Sequence, residues 1–192
     1  MLTMPRQLWF VGILGILAGT PQLLAAQTAA GAPAPPSAPL PPATKLEAFK
    51  PAAGSIVTLG YNDLGETSGV AVDVRELRAV NGITVRGLLV DVTESQYSEE
   101  RSFVDADEIP ELLKGIDALL AVKVNPTTFD KFEVRYTTKG ALELTAFNSG
   151  REIKYAIQAG RTLHAQRFLD EGDMQKFRAL VVSAEGKLAA SK

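Results

Sequence analysis

Carboxylates are concentrated in one stretch of this 192-residue chain, residues 91–111. One base, Arg101, lies among eight acids, which are Asp91, Glu94, Glu99, Glu100, Asp105, Asp107, Glu108 and Glu111. Paired carboxylates can supply acid and base chemistry, and carboxylate oxygens can ligate calcium. The acids lack the spacing of a calcium loop, and the start of a helix accounts for several of them. We therefore interpret the stretch as a solvated loop leading into a helix, with a cation site and a carboxylate-dependent hydrolase as alternatives.

Two aromatic residues flank the single base of this acidic stretch. Exposed aromatics beside an arginine are typical of the residues that dominate protein interfaces. The predicted interaction residues are Tyr97, Glu99, Glu100, Arg101 and Phe103. The alternative for the two aromatics is burial in the core.

Several kinds of chemistry are excluded or disfavoured by the residues that the chain lacks. It has no cysteine and one histidine, His164, which excludes the usual zinc ligand sets. It contains neither a nucleophile-elbow sequence nor a glycine-rich phosphate loop. Residues 54–192 carry 17 bases and 21 acids, so a nucleic-acid partner is disfavoured. We expect no cofactor, no metal and no catalytic residue.

The first 26 residues have the plan of a secretory signal peptide. Arg6 precedes an uncharged run from Leu8 to Gly19, and Pro21 interrupts that run before it reaches the roughly 20 residues that span a bilayer. Cleavage is expected after Ala26 or Ala30, with an uncleaved anchor as the alternative. Without cysteine, neither a lipoprotein anchor nor a disulfide can form. The protein is therefore predicted to be exported, periplasmic or extracellular, with no stable membrane insertion after cleavage.

Residues 27–53 are predicted to be an Ala/Pro-rich linker. Seven prolines between residues 29 and 53 favour an extended conformation that cannot pack into a core. A single globular domain is predicted for residues 54–192.

Alternating and helical patterns within that domain predict its elements. Strands are expected at 55–59, 70–75, 83–92, 132–136, 142–144, 153–157 and 161–168, and helices at 109–120 and 174–188. Asn81-Gly82 predicts a tight hairpin, and Asp170 or Asp173 is expected to cap the last helix. This order indicates an α+β fold with a mainly antiparallel sheet of about seven strands, one helix after the third strand and a C-terminal amphipathic helix. The element order is similar to that of a pleckstrin-homology-like barrel.

Two segments carry a resemblance to a known family. DADEIPELLKGI at 105–116 and YTTKGALEL at 136–144 resemble an uncharacterised family of exported bacterial domains, over roughly residues 55–188. The resemblance implies a bacterial origin and a shared fold, and no activity is assigned to the family. Export, the spacer, a compact α+β domain and the missing catalytic signatures lead us to expect a non-catalytic module that binds an envelope protein or a small ligand. The further alternative is an architectural component of the envelope.

Overall fold

The computed structural model describes residues 40–123 and 126–191. The predicted signal peptide, and the predicted linker as far as residue 39, lie outside the described residues. The strands are β1 (Val57–Thr67), β2 (Val70–Ala79), β3 (Thr84–Ser95), β4 (Ser98–Asp105), β5 (Glu133–Thr137), β6 (Glu143–Ser149), β7 (Glu152–Ala159) and β8 (Ala165–Leu169). The helices are α1 (Lys45–Ala48), α2 (Ile109–Leu120) and α3 (Glu171–Ala190).

The strands form two antiparallel sheets of four strands each. Sheet 1 has the order β1-β2-β3-β4 and sheet 2 the order β5-β6-β7-β8. The predicted α+β class is confirmed, whereas the described residues contain eight strands instead of about seven. The two sheets do not close into a barrel, so the pleckstrin-homology-like arrangement is not confirmed.

The additional strand is β4, which lies in the acidic stretch that was interpreted as a loop. It pairs with β3 along its length, with Arg101 opposite Asp91 and Phe103 opposite Leu89. Its inward-facing Ser102 and Val104 are buried. The charged residues of the strand masked this alternation, because only one of its buried positions is a large apolar residue.

One core lies between the inner faces of the two sheets and the apolar faces of α2 and α3. Sheet 1 contributes valines and leucines such as Val72 and Val90, and sheet 2 contributes Leu144 and Ile157, all fully buried. The predicted helix faces are confirmed by the burial of Ile109, Leu112, Ile116 and Leu119 in α2 and of Met174, Phe177, Val181, Ala184 and Leu188 in α3. In the last helix, the Asp170 side chain accepts a hydrogen bond from the backbone N–H of Asp173 (2.8 Å), which confirms one of the two predicted caps.

The predicted hairpin joins β2 and β3. Gly82 has a φ of 88°, and the side chain of Asn81 accepts a hydrogen bond from the Ile83 N–H. Gly87 continues the β3 ladder without a bulge, since it pairs with Arg75 on one side and Asp105 on the other. A Cβ at Gly87 would lie 2.7 Å from the Leu46 side chain, so a glycine there lets α1 approach the sheet.

The short helix α1 lies in the segment predicted to be linker, ahead of the predicted domain boundary at residue 54. Thr44 and Glu47 form a reciprocal capping box. Leu46 is 5% exposed, and both carboxylate oxygens of Asp105 accept the Lys45 N–H, at 3.0 and 2.9 Å. A capped turn with one apolar anchor is therefore sufficient to attach this Pro-rich segment to sheet 1.

Candidate functional site

The predicted interaction residues divide between the two faces and the tip of the β3–β4 hairpin. Tyr97 lies at the tip and is 90% exposed. Glu99, Arg101 and Phe103 share the outer face of sheet 1, the face directed away from the core, whereas Glu100 lies on the opposite face beside Gly160. Only Glu99 and Arg101 contact one another, with 3.7 Å between their charged groups.

A charged cluster on the outer face of sheet 1 includes these two residues. Arg101 contacts Asp91 at 3.2 Å, and on the neighbouring strand Arg75 contacts Asp73 at 3.1 Å. Burial raises the pKa of Asp91, and the negative charges of Glu99 and Asp73 add to that shift, against the opposing effect of Arg101. The charges of the cluster thus lie close to opposite charges, although Arg75 Nε and Asp91 Oδ1 are buried without a hydrogen bond.

Four of the remaining acids of residues 91–111 have separate structural partners. Asp105 binds the backbone of α1, and Asp107 pairs with the ammonium of Lys45 at 2.8 Å. Glu108 accepts the Lys139 N–H at 2.9 Å, and Glu111 pairs with Lys114. No observation in the described part of the chain therefore assigns two of these acids to a catalytic pair. His164 is exposed just before β8 begins.

An apolar cleft on the outer side of sheet 1 is the feature best suited to hold a ligand. It lies between the β2–β3 hairpin and residues 49–56, which we call the strap, and its volume is about 720 Å³. Ligand pockets are typically about 300–1,000 Å³. Apolar side chains of both walls are exposed to solvent, namely Ile56 (72%), Val80 (76%) and Ile83 (55%). Exposed apolar residues gathered at one place are typical of binding surfaces.

Local structure positions both walls of the cleft. α1 ends at Phe49, which is extended and directs the chain into the strap, and Gly54, with a φ of 80°, allows the strap to turn towards β1. The opposite wall is fixed by the tight turn at Asn81-Gly82, which places Val80 and Ile83 on either side of it. The two walls therefore belong to elements that sheet 1 holds in place.

Two lysines, Lys45 and Lys50, are among the residues that line the cleft. Lys45 is paired with Asp107, and that carboxylate raises the Lys45 pKa through a hydrogen bond and its charge. Lys50 is exposed and has no carboxylate within ion-pairing distance among residues 40–123 and 126–191. A second cleft of about 520 Å³ shares Lys45 and lies at the start of α2 and the end of α3. The arrangement combines an apolar wall with an unpaired positive charge.

The cleft was not predicted, although the sequence held two signals for it. The capping-box pattern Thr44-x-x-Glu47 marks a helix start inside the Pro-rich segment. Val80 and Ile83 flank a hairpin turn, where polar residues are usual because the turn is exposed to solvent. How the two walls of the cleft lie relative to each other depends on the path of the strap across sheet 1. No local sequence pattern predicts that path.

Among the residues that the structure describes, no group of three or more His, Asp or Glu side chains could hold a metal ion. No helix in the described ranges is both long enough and apolar enough to cross a bilayer. The chain matches no protein-family model and no curated protein.

Proposed function

We propose that this protein is an exported, non-catalytic binding module of the bacterial cell envelope, and that its ligand occupies the cleft between the strap and the β2–β3 hairpin. In this proposal residues 1–26 direct export, and the Pro-rich segment connects the folded domain to its point of release or attachment. The proposal is supported chiefly by the cleft itself, which exposes Ile56, Val80 and Ile83 beside Lys50.

The chemistry of the cleft favours a small amphiphilic anion. Burial of an apolar ligand body against the three exposed side chains contributes about 25 cal/mol per Å² of apolar surface removed from water. A carboxylate or phosphate at one end of the ligand would lie near the Lys50 ammonium, which has no ion pair in the described part of the chain. The outer-face cluster is less suited to an anion, since Arg75 and Arg101 already contact the carboxylates of Asp73 and Asp91.

Binding of dodecanoate tests this proposal, with dodecanol as an uncharged ligand of similar shape. We expect saturable binding of dodecanoate, measured by displacement of a fluorescent apolar dye. Ile83→Glu should abolish it, because a carboxylate would be placed in the apolar wall. Lys50→Gln should weaken binding of dodecanoate severalfold and leave that of dodecanol unchanged.

Leu163→Glu is the matched control, since Leu163 is also exposed (70%) but lies outside the cleft. Binding that is not saturable, or that Ile83→Glu and Leu163→Glu reduce equally, would reject the cleft as the ligand site.

A further inference from the structure

β1 is an edge strand, and within the described ranges no other element lies against its outer side over its first half. Residues 58–63 are all exposed, and β1 pairs only with β2. The bulge between Asp63 and Gly65 separates this part from the end where Gly65 and Thr67 lie against α3. The segment Val57–Asn62 contains no proline and no charged residue. It therefore lacks the features with which proteins usually protect an exposed edge.

The other three edges are protected. Against β4 lies the turn at Gly140, where a Cβ would come within 1.9 Å of the Phe103 carbonyl oxygen. At the β8 edge, the guanidinium of Arg167, a residue of β8, donates to the Ser68 carbonyl at 2.8 Å and so joins that edge to sheet 1. β5 has only five residues and carries Glu133 and Arg135. Sheet 1 is thus open at one edge only within the described ranges.

The hydrogen-bond register shows which backbone groups point outwards. The Val80 N–H donates to the Ile56 carbonyl, and Ala79 donates to Ile83, so the even-numbered residues of β2 face β1. Pairs of an antiparallel ladder alternate between bonded and non-bonded positions. Consequently Thr58, Gly60 and Asn62 bond to β2, while Val57, Leu59 and Tyr61 direct their N–H and C=O groups to the open edge.

We propose that a second copy of this chain occupies the open edge, with the two β1 strands antiparallel about a two-fold axis at Gly60. This register places the outward-directed groups of Leu59 opposite those of the second copy's Tyr61, and the converse pair follows by symmetry. Gly60 faces its own equivalent at a non-bonded position, where strands approach most closely and side chains crowd. The result is a continuous eight-stranded sheet.

Side chains support the same pairing. Leu59 is 47% exposed and Tyr61 64% exposed, and both lie on the outer face, opposite Leu77 and Arg75 of β2. Pairing puts each leucine against a tyrosine, a favourable cross-strand combination, and places Asp63 opposite Val57 instead of another acid. Since one strand pair makes a small interface, the dimer is expected to dissociate on dilution.

Cysteine crosslinking tests the register, because the natural chain has no cysteine. In the proposed dimer the two copies of residue 60 have their Cα atoms about 4.5 Å apart, which suits a disulfide. The two copies of residue 58 are about 13 Å apart, four positions along the strand. Position 60 tolerates a side chain, since its Cβ would meet nothing nearer than 3.9 Å.

The full-length Gly60→Cys protein should therefore form a covalent dimer under mild oxidation. Thr58→Cys and Asn62→Cys should each form no covalent dimer alone and should crosslink when mixed, because residue 58 faces residue 62 of the other copy. Equal crosslinking of Thr58→Cys alone and Gly60→Cys would overturn the proposal. Association of chains through the predicted signal peptide, and not through β1, would produce that result.

Charge exchange tests the same interface without a disulfide. The double variant Leu59→Lys/Tyr61→Lys sets like charges opposite each other twice and should raise the dimer dissociation constant about tenfold or more. Leu59→Lys/Tyr61→Glu sets opposite charges across both pairs and should restore association. A natural protein that sediments as a monomer over about a hundredfold range of concentration would overturn the proposal.

Discussion

The two edges of sheet 1 have opposite properties. The β4 edge is charged and covered, since α1, the turn at Gly140 and the backbone of Gly160 all contact it. The β1 edge is uncharged and open from Val57 to Asn62. The covered edge is closed by glycines and by polar groups that bind backbone, with Leu46 as one apolar anchor. The acidic strand β4 is therefore covered by other parts of the fold, while the uncharged first half of β1 is exposed to solvent.

The same substitution at the two edges should give the largest contrast. Gly140→Ala would drive a Cβ to within 1.9 Å of the Phe103 carbonyl oxygen, so the turn has to leave β4. We expect a loss of about 3 kcal/mol or more in the free energy of unfolding, measured by urea denaturation. Gly60→Ala should change that free energy by less than about 1 kcal/mol, because the site is open. Similar losses in both variants would show that the β4 edge is not held by this close approach.

The attachment of α1 to β4 should be next in size. Asp105→Ala leaves the N–H groups of Lys45 and Leu46 without their acceptor, at a cost of about 3 kcal/mol. Trypsin should then cut at Lys45 faster than in the natural protein. Asp107→Ala removes only an exposed ion pair and should match the natural protein in both assays. Unchanged proteolysis of Asp105→Ala would contradict this role for the carboxylate.

The covered end of β1 is tied to α3 by a carboxylate and should show a smaller, pH-dependent effect. Asp173 accepts hydrogen bonds from the hydroxyls of Ser68 (2.6 Å) and Thr67 (3.0 Å), which hold its pKa below the usual range. A lowered pKa means that the stabilisation is complete above the ordinary carboxyl pKa and disappears as pH falls through the folded value.

Asp173→Asn should therefore cost about 1–2 kcal/mol at neutral pH, with the difference from the natural protein vanishing in acid. Urea denaturation at several pH values measures it, and Glu171→Gln on the same exposed turn is the control. A difference that persists unchanged in acid would indicate lost packing instead of lost charge.

Asp91→Asn should give the smallest change, and in the opposite direction. Burial raises the Asp91 pKa, so the folded protein loses stability as pH rises from the ordinary carboxyl value through the raised one. The amide lacks that cost, and the variant should gain less than about 1 kcal/mol at neutral pH. A loss of stability would mean that the Arg101 contact outweighs burial.

Elements with a strong period could be predicted from the sequence. The apolar stripes of α2 and α3 and the Asn81-Gly82 hairpin are local patterns, and the structure confirms each of them. β4 was missed because four of its residues are charged, and partners of these residues lie on β3 and α1. α1 was missed because proline content suggested an extended linker throughout residues 27–53.

The candidate site was harder to predict for a physical reason. Tyr97, Glu99 and Arg101 are exposed as an interface requires, but exposure alone does not bring them together. The cleft and the open edge depend on which element lies beside a strand. That information is held in contacts between residues far apart in the chain, such as Lys45 with Asp105.

The contacts of Arg161 with the segment ahead of α1 also have a mechanical consequence. Its guanidinium donates to the Pro41 carbonyl at 2.6 Å and contacts Glu47 at 3.4 Å, and the Asp105 carboxylate holds the next turn. A pull on the chain at Leu40 is borne first by these contacts and passes into β4 and the segment before β8. The strap and β1 lie beyond these anchors along the chain. Tension applied to the chain at Leu40 would therefore leave the cleft and the open edge unloaded.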